Sequence, residues 1–207
     1  SLEMARRGIR PAALDLSGEM VAYGSRLARD AGVEIEYIQA DMADFQLSAP
    51  VDLAFLPLDS ISYLLDNETV YRHLDSVAEA LTYNGVYVLE ISHPRDMFGV
   101  RKATKTDWEM ERGGKKVHLV WGTEDDSFDP VSQLTDVSVS VSVSEAGKTT
   151  EYISRAKQRS FSCTEIQALV RASGRFELIR MYGAMDAEID LSHPKAWRMI
   201  TALQKRP

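Results

Sequence analysis

The sequence has 207 residues, 44% of them hydrophobic, which is enough to bury one core in a single domain or in one domain with an elaboration. Its net charge of −7, with 24 Lys and Arg residues in no long run, argues against a nucleic-acid partner, because phosphate backbones attract clustered cations. The single cysteine, Cys163, excludes an internal disulfide framework. No apolar run approaches the roughly 20 residues of a membrane span and no signal peptide is recognisable, so we expect a cytoplasmic protein without a membrane partner.

Short apolar strands alternate with amphipathic helices up to about Ser92. Strands are predicted at residues 9–16, 33–39, 51–57 and 85–91. They lack a strict period of two, which is typical of strands buried on both faces of a parallel sheet. Ser17 is the predicted N-cap of a helix that ends at Gly32, and a second helix follows Asn67 and stops at Asn84. This order predicts an α/β fold with a Rossmann-like, doubly wound and mostly parallel sheet.

From about Trp108 to Phe161 the pattern changes. Residues 137–143 alternate valine with serine, which indicates a half-buried antiparallel strand. Residues 117–121 alternate more weakly, and a third strand is predicted at 152–160. We therefore expect a three-stranded antiparallel elaboration inserted into the α/β domain.

The α/β pattern then returns. Ser162 and Glu165 form a predicted capping box, and the helix that they begin ends at Gly174. Residues 176–182 and 197–203 are predicted as two closing strands in an antiparallel pair. The expected organisation is a core of residues 1–95 and 162–207 with an insertion of residues 96–161.

Polar residues follow the first two predicted strands, at the sheet edge where open α/β folds bind ligands. Asp15 ends the first strand, and its carboxylate can accept hydrogen bonds from both hydroxyls of a ribose. After the second strand, Asp41 can accept from an exocyclic amine and Met42 can cover an adenine face. The alternatives are that Asp15 caps a helix, Asp41 shapes a turn and Met42 packs in the core.

Four segments together resemble the class I S-adenosylmethionine-dependent methyltransferases. They are residues 13–20 (ALDLSGEM), 39–42 (QADM), 51–55 (VDLAF) and 81–90 (LTYNGVYVLE). Each motif is loose by itself, but they occur in the order and spacing of the family. The insertion before the last helix is similar to that of small-molecule members, including amino-sugar and glycine-type N-methyltransferases.

The resemblance implies a seven-stranded methyltransferase sheet, S-adenosylmethionine as cofactor and methyl transfer to nitrogen or oxygen of a small-molecule acceptor. Asp15 would then hold the ribose, Leu16 and Met42 would enclose the adenine, and Asp41 would meet the adenine amino group. Leu58 would lie beside the methionine portion, and the insertion over the acceptor site. The full cofactor-binding set expected is Asp15, Leu16, Met20, Asp41, Met42 and Leu58.

The family's glycine-rich loop, which wraps the methionine end of the cofactor, is absent from this sequence. None of the 12 glycines forms a Gly-x-Gly pattern. Residues 2–8 read as the last turns of the helix after that loop, so the central first strand is expected to be missing too. An N-terminal segment outside the sequence, a truncated gene product and a degenerate relative are three open explanations. By itself this chain is expected to bind cofactor poorly and to expose unpaired sheet edges.

Methyl transfer from a sulfonium is an in-line displacement, to which a protein contributes mostly proximity, alignment and exclusion of water. A general base is needed only if the acceptor arrives protonated, and His93, just past a strand end, is the candidate. The alternative for His93 is a structural histidine before proline. Asp59, Ser60 and Tyr63 are candidates for orienting the acceptor, with ordinary loop polarity as the alternative.

Two interpretations are open for the basic residues of the insertion, and two for its aromatic residues. Arg155, Lys157 and Arg159 share one strand face, where they either attract an anionic acceptor or, as we favour, form a solvated face that protects a sheet edge. Trp108 and Trp121 either cover the acceptor pocket or pack in the core. The 4 histidines lack metal-ligand spacing, so no metal is expected.

Two other functions compete with the methyltransferase hypothesis. A nicotinamide-dependent oxidoreductase fits Asp15 but not the residues after the second strand or the late insertion, and no Tyr-x-x-x-Lys pair is present. A non-catalytic methyltransferase-like module that binds a protein partner is the other alternative. The identity of the acceptor and the oligomeric state are beyond the sequence.

Overall fold

The computed structural model describes residues 1–98 and 106–207, and its strands form three sheets. The elements before the insertion are α1 (Leu2–Arg6), β1 (Ala12–Asp15), α2 (Gly18–Asp30), β2 (Glu36–Gln39), β3 (Val51–Leu56), a 3-10 helix (Ser60–Tyr63), α3 (Asn67–Ala80), β4 (Leu81–Ser92) and α4 (Pro94–Phe98). Those that follow are β5 (Thr106–Arg112), β6 (Lys115–Trp121), β7 (Phe128–Asp129), β8 (Leu134–Glu145), β9 (Lys148–Arg159), α5 (Cys163–Ser173), β10 (Phe176–Tyr182) and β11 (Arg198–Lys205). Within the described ranges, no helix is long and apolar enough to cross a membrane.

The predicted parallel strands are present, but they do not form one continuous sheet. Strands β1 and β2 pair in parallel as a two-stranded sheet, while β10, β11, β4 and β3 form a four-stranded sheet in that order. In the larger sheet β3 and β4 are parallel, and β11 is antiparallel to both of its neighbours, as expected for the closing pair. Among the described residues, no strand links the β1–β2 sheet to β3 by hydrogen bonds. The Rossmann-like α/β character is confirmed, and the single doubly wound sheet is not.

The insertion is larger than the sequence pattern suggested. It is a five-stranded antiparallel sheet in which β8 pairs with β6, β7 and β9, and β5 extends it at the far side of β6. The three-stranded prediction is therefore wrong. It missed β5, whose residues are all exposed and whose apolar alternation is limited to Trp108 and Met110, and β7, which has only 2 residues.

Local signals placed most helix ends correctly. The hydroxyl of Ser17 accepts a hydrogen bond from the Met20 N–H at 3.2 Å, and Ser162 with Glu165 forms the predicted capping box. Gly174 ends α5 in the left-handed conformation, at φ 69°. Asn84 is different: it does not stop α3, which ends at Ala80, but lies inside β4 at φ 61°. There the register against β3 shifts, so residues 84–85 mark an irregularity of a long strand.

The main core lies between the four-stranded sheet and helices α3 and α5. Apolar side chains of both helices pack against Tyr87, Leu89 and Ile91 of β4. On the opposite face of the same sheet, Leu53 and Phe55 are exposed. Helix α2 instead contacts β1 and β2.

The Val/Ser strand of the insertion is fixed at both ends. At one end the Ser138 N–H donates to the Asp126 carboxylate at 3.1 Å. At the other end a two-residue turn, with Ala146 at φ 50° and Gly147 at φ 79°, joins β8 to β9. Positive φ at both central residues is the geometry that matches the twist of a tight hairpin.

A buried histidine connects the loop after β2 to this core. His73 of α3 is 2% exposed; its Nδ1 donates to the Met42 carbonyl at 2.8 Å and its Nε2 accepts from the Tyr87 hydroxyl at 2.7 Å. Burial lowers the pKa of His73 to about 4 and raises the pKa of Tyr87. The imidazole is therefore neutral, and in this state Nδ1 donates to the Met42 carbonyl while the phenol donates to Nε2.

This histidine is expected to make the stability of the fold sensitive to acid. Because the pKa of His73 falls from 6.5 to about 4 on folding, the unfolded chain binds a proton first, and the free energy of unfolding decreases as pH drops from 6.5 towards 4. At pH 5 the loss attributable to His73 is about 2 kcal/mol. Urea denaturation of the wild type and His73→Gln at pH 7 and pH 5 measures it, because glutamine can keep both hydrogen bonds without titrating.

His118→Gln is the matched control, since His118 is partly exposed and pairs with Asp107 on the insertion sheet. It is expected to retain the acid sensitivity of the wild type. Equal pH dependence in the wild type and His73→Gln contradicts the assignment.

Candidate active site

The residues expected around adenosine lie together beyond the carboxyl ends of β1 and β2. Asp15 pairs in register with Gln39, so Asp41 follows two residues past that position. Each carboxylate uses one oxygen to shape its own turn: Asp15 Oδ1 accepts from the Ser17 N–H at 2.9 Å, and Asp41 Oδ1 accepts from the Ala43 N–H at 2.8 Å. Both side chains are exposed. Within the described residues their Oδ2 atoms have no hydrogen-bond donor, which leaves each one available to a ligand.

Apolar side chains accompany these acids. Leu16 is 70% exposed and Met20 is 53% exposed, so neither is used by the core. Met42 is partly buried, packs against the main core and has its carbonyl held by His73. The structure thus brings Leu16, Met20 and Met42 to the edge that carries Asp15 and Asp41.

The turn after β3 has an unusual backbone. Leu58 and Asp59 both have left-handed conformations, at φ 56° and φ 59°, which are disfavoured for residues with a Cβ. The Asp59 N–H donates to the Glu90 carbonyl at 3.2 Å, and the Leu58 N–H donates to Glu90 Oε2 at 2.9 Å. Leu58 turns its side chain outwards and is 77% exposed.

Asp59, expected to orient an acceptor, is engaged inside the protein. Its carboxylate accepts from the Ser92 hydroxyl at 2.7 Å and from the Ser92 N–H at 3.2 Å. Burial raises the pKa of the Asp59 carboxyl, and the hydrogen bonds from Ser92 with the charge of Arg198 oppose that rise. This geometry makes Asp59 a support of the turn as well as a candidate contact.

Ser60 and Tyr63 lie in the 3-10 helix that follows. The Ser60 hydroxyl donates to the Pro57 carbonyl at 2.7 Å, so it too is used locally. Tyr63 is 44% exposed, and its 3-10 helix contacts β9 of the insertion. Burial and the neighbouring Asp59 charge raise the pKa of Tyr63, so its hydroxyl stays protonated at neutral pH. Tyr63 therefore connects the core to the insertion.

His93 has a structural setting. It is buried; its Nε2 donates to the Leu191 carbonyl at 2.9 Å and its Nδ1 accepts from the Arg95 N–H at 3.2 Å. Both ring nitrogens are occupied, so His93 would have to leave this arrangement before taking a proton from an acceptor. The geometry favours the structural alternative over general base catalysis.

The three basic residues of β9 do not form one solvated face. Lys157 pairs with Asp136 at 3.1 Å at an exposed position, as expected for a strand edge. Arg159 is buried, donates to Glu165 at 2.6 Å and to Asn67 at 2.7 Å, and so departs from that prediction. These bonds to α5 and α3 give Arg159 a structural role. Arg155 stays exposed on β9.

The insertion collects its apolar side chains on one face. Trp108 lies opposite Leu119, and Trp121 opposite Val139, in the antiparallel registers of β5, β6 and β8. Gln158 belongs to the same face of the sheet, because it lies two residues from Ala156, which pairs with Val137. Trp108 is 44% exposed, which is not core packing. The end of this apolar face that carries Gln158 therefore lies next to the 3-10 helix.

A buried ion pair was missed by sequence reasoning. Glu90 of β4 is 6% exposed, and its Oε1 lies 3.1 Å from Arg198 Nε of β11. Arg198 also donates to the Ser92 hydroxyl at 3.2 Å. The available signal was a charged residue inside an apolar strand, because a buried carboxylate requires a partner.

Comparison with known proteins shows similarity to methyltransferases. A family model described as a methyltransferase domain matches residues 1–85. A protein named "Putative methyltransferase" from Geobacillus sp. (strain WCH70) is 25% identical over 91 residues, which span 44% of this chain but only 37% of that protein.

Solved structures share the fold over nearly the whole chain. An S-adenosylmethionine-dependent methyltransferase from Clostridium acetobutylicum has a TM-score of 0.78 at 16% identity, covering 97% of this chain and 77% of that one. CalS10, an amino pentose methyltransferase from Micromonospora echinaspora solved with S-adenosylmethionine, has a TM-score of 0.68 at 18% identity, covering 99% and 78%. CcbJ methyltransferase from Streptomyces caelestis has a TM-score of 0.75 at 15% identity, covering 100% and 84%. Over residues 1–85 the chain is therefore similar in sequence to a methyltransferase domain, and over nearly its whole length it shares the fold of these solved methyltransferases.

Proposed function

We propose that this protein transfers the methyl group of S-adenosylmethionine to nitrogen or oxygen of a small-molecule acceptor. The observation that carries the proposal is the pair of exposed carboxylates at the ends of β1 and β2. Asp15 and Asp41 each hold one oxygen with a backbone N–H, at 2.9 Å and 2.8 Å, and keep the other free. Fixed acceptors of this kind suit an adenosine, whose ribose hydroxyls and exocyclic amine are all donors.

The residues beside these acids fit the flat, apolar part of the same ligand. Leu16 is exposed directly after Asp15, and Met42 lies after Asp41 with its backbone fixed by His73. In the proposed arrangement Asp15 holds the ribose, Asp41 meets the amino group, and Leu16, Met20 and Met42 enclose the adenine. Leu58, exposed on its turn, faces the methionine portion.

The proposed reaction is an in-line displacement at the methyl carbon. The acceptor lone pair forms the new bond as the carbon–sulfur bond breaks, the sulfur keeps that electron pair as a neutral thioether, and the acceptor proton leaves to solvent. The protein then has to align the acceptor and exclude water. Tyr63 and Ser60 on the 3-10 helix, with Asp59 beneath them, are the proposed orienting residues, and His93 is kept only as a base that would need to move.

The insertion supports a small-molecule acceptor. Its apolar face carries Trp121 and Leu119, and its strand β9 contacts the 3-10 helix that holds Tyr63. Among the proteins with this fold, CalS10 is an amino pentose methyltransferase and KedS8 a sugar N-methyltransferase. A small-molecule acceptor in the cytoplasm is therefore part of the proposal.

A non-catalytic binding module remains the second candidate. The observation that favours it is that the exposed apolar residues of β3, Leu53 and Phe55, offer a surface outside the proposed cofactor site. An oxidoreductase is a weaker candidate, because no side chain at the carboxyl end of β3 is specific for a nicotinamide ring. Titration with reduced nicotinamide cofactor separates that reading.

The first prediction concerns Asp15. Calorimetric titration of S-adenosylhomocysteine into the full-length native protein is expected to give micromolar binding. Asp15→Ala is expected to weaken binding about 10- to 100-fold, because charge-assisted hydrogen bonds contribute about 1.5–3 kcal/mol each. Asp30→Ala, an exposed acid at the end of α2, is the matched control and is expected to bind normally. Absence of binding by folded wild type overturns the enzyme proposal and directs attention to protein partners.

The second prediction concerns Asp41. In Asp41→Asn one side-chain oxygen can still accept from Ala43, but the other position becomes an amide donor that faces the donor amine of adenine. Affinity for S-adenosylhomocysteine is expected to fall about 10-fold, while affinity for an analogue with a keto group in place of the amine falls less. Asp44→Asn, at the other end of the same turn, serves as the control. Equal losses for both ligands contradict the role given to Asp41.

A further inference from the structure

We propose that Glu90 and Arg198 are positioning residues that hold the Leu58–Asp59 turn at the methionine end of the cofactor site. The proposal rests on the proposed function for the ligand concerned, but the contacts that carry it are internal to the protein. Neither residue is among those expected to contact the cofactor, although Glu90 ends the segment 81–90 that carries part of the resemblance. They act through the backbone of Leu58.

The turn cannot keep its shape through local preference. Leu58 and Asp59 adopt consecutive left-handed conformations, and neither is glycine. Such a conformation persists only where surrounding contacts impose it. Besides local backbone bonds to the Pro57 and Asp59 carbonyls, the contacts come from β4: the Glu90 carboxylate and carbonyl accept the Leu58 and Asp59 N–H groups at 2.9 Å and 3.2 Å, and Ser92 donates to the Asp59 carboxylate.

Glu90 can do this only because Arg198 compensates its burial. The carboxylate is 6% exposed in a strand whose neighbours are apolar, so an unpaired charge there would be strongly unfavourable. Arg198 Nε lies 3.1 Å from Oε1 and the same guanidinium donates to Ser92 at 3.2 Å. Its carbon lies 4.9 Å from the centre of the Trp197 ring, which fixes it further.

One carboxylate therefore connects the closing strand to the turn. Oε1 faces Arg198 of β11, and Oε2 faces the N–H of Leu58. The result is that Leu58 presents its side chain outwards, 77% exposed, beside the edge where the ligand is expected. A well-packed apolar pair of similar volume often gives equal or higher stability than a buried ion pair. An apolar pair, however, has no oxygen atom to accept the hydrogen bond from the Leu58 N–H.

The chain contains a matched ion pair that does not reach the site. Arg159 donates to Glu165 at 2.6 Å, and its guanidinium lies 4.8 Å from the ring of Phe161. That pair joins β9 to α5 and makes no contact with the turn among the described hydrogen bonds. Replacing each pair by apolar residues separates loss of an ion pair from loss of the Leu58 acceptor; the second replacement also removes the capping box of α5, so stability is not compared between the two variants.

The test compares Glu90→Leu/Arg198→Met with Glu165→Leu/Arg159→Met in the full-length native protein. Two quantities are measured by NMR and calorimetry: hydrogen exchange of the Leu58 amide, and affinity for S-adenosylhomocysteine. In the first double variant we expect Leu58 exchange to accelerate at least 10-fold and affinity to fall about 10-fold, with the thermal midpoint little changed. In the second we expect both quantities within twofold of the wild type. Glu90→Gln, which keeps an acceptor oxygen, is expected to restore most of the Leu58 protection.

Unchanged Leu58 exchange and unchanged affinity in a folded Glu90→Leu/Arg198→Met variant overturn the proposal. If that variant does not fold, the wild type decides: the Leu58 amide must exchange at least 100-fold more slowly than in an unstructured peptide despite its exposed side chain, and fast exchange overturns the inference. Failure of the wild type to bind S-adenosylhomocysteine, with a protected Leu58 amide, rejects the proposed function and leaves the positioning of the turn intact.

Discussion

The hydrogen bonds of one buried histidine determine how the parts of this molecule meet. His73 lies on α3, receives the Tyr87 hydroxyl from β4 and donates to the Met42 carbonyl after β2. Ser76, one turn further along α3, donates to the Ala43 carbonyl at 3.3 Å. The two-stranded sheet is thereby attached to the larger core through the loop that also carries Asp41. The ligand edge depends on this attachment, because Asp15 and Asp41 sit on the smaller unit and Leu58 on the larger one.

Much of the fold could be predicted from local signals. Caps at Ser17 and Ser162 are encoded within a few residues, and so are the left-handed helix end at Gly174 and the apolar strands. What failed depends on distant or featureless sequence. Strand β5 has no buried side chain, and its alternation of Trp108 and Met110 with acidic residues is too short to predict a strand. Asn84 resembles a helix stop, but the irregularity that it marks arises from pairing with β3, which the local sequence does not specify.

The candidate site divides in the same way. Asp15, Asp41 and their apolar neighbours were predictable because the carboxyl ends of parallel strands meet at one edge. The roles of Asp59 and His93 were not, since polarity in a loop does not reveal that Ser92 and the Leu191 carbonyl already use those side chains. Glu90 and Arg198 are 108 positions apart in numbering yet meet across adjacent strands, and only the register of β4 with β11 shows it. Long-range charge pairing is the part of such a site that a single sequence conceals.

The Val/Ser strand of the insertion has a consequence for how that sheet can change. Because β8 repeats with a period of two, a slip of two residues places valine on the valine face again and costs little in side-chain chemistry. The register and length of β8 are therefore set by the turn at residues 146–147 and by the hydrogen bond from Ser138 to Asp126. Adding a residue pair to each arm would lengthen the ladder away from the core without altering either face, whereas adding a single residue would exchange the faces. The β8–β9 hairpin can therefore differ in length by pairs of residues, while the four-stranded sheet of the core stays unchanged.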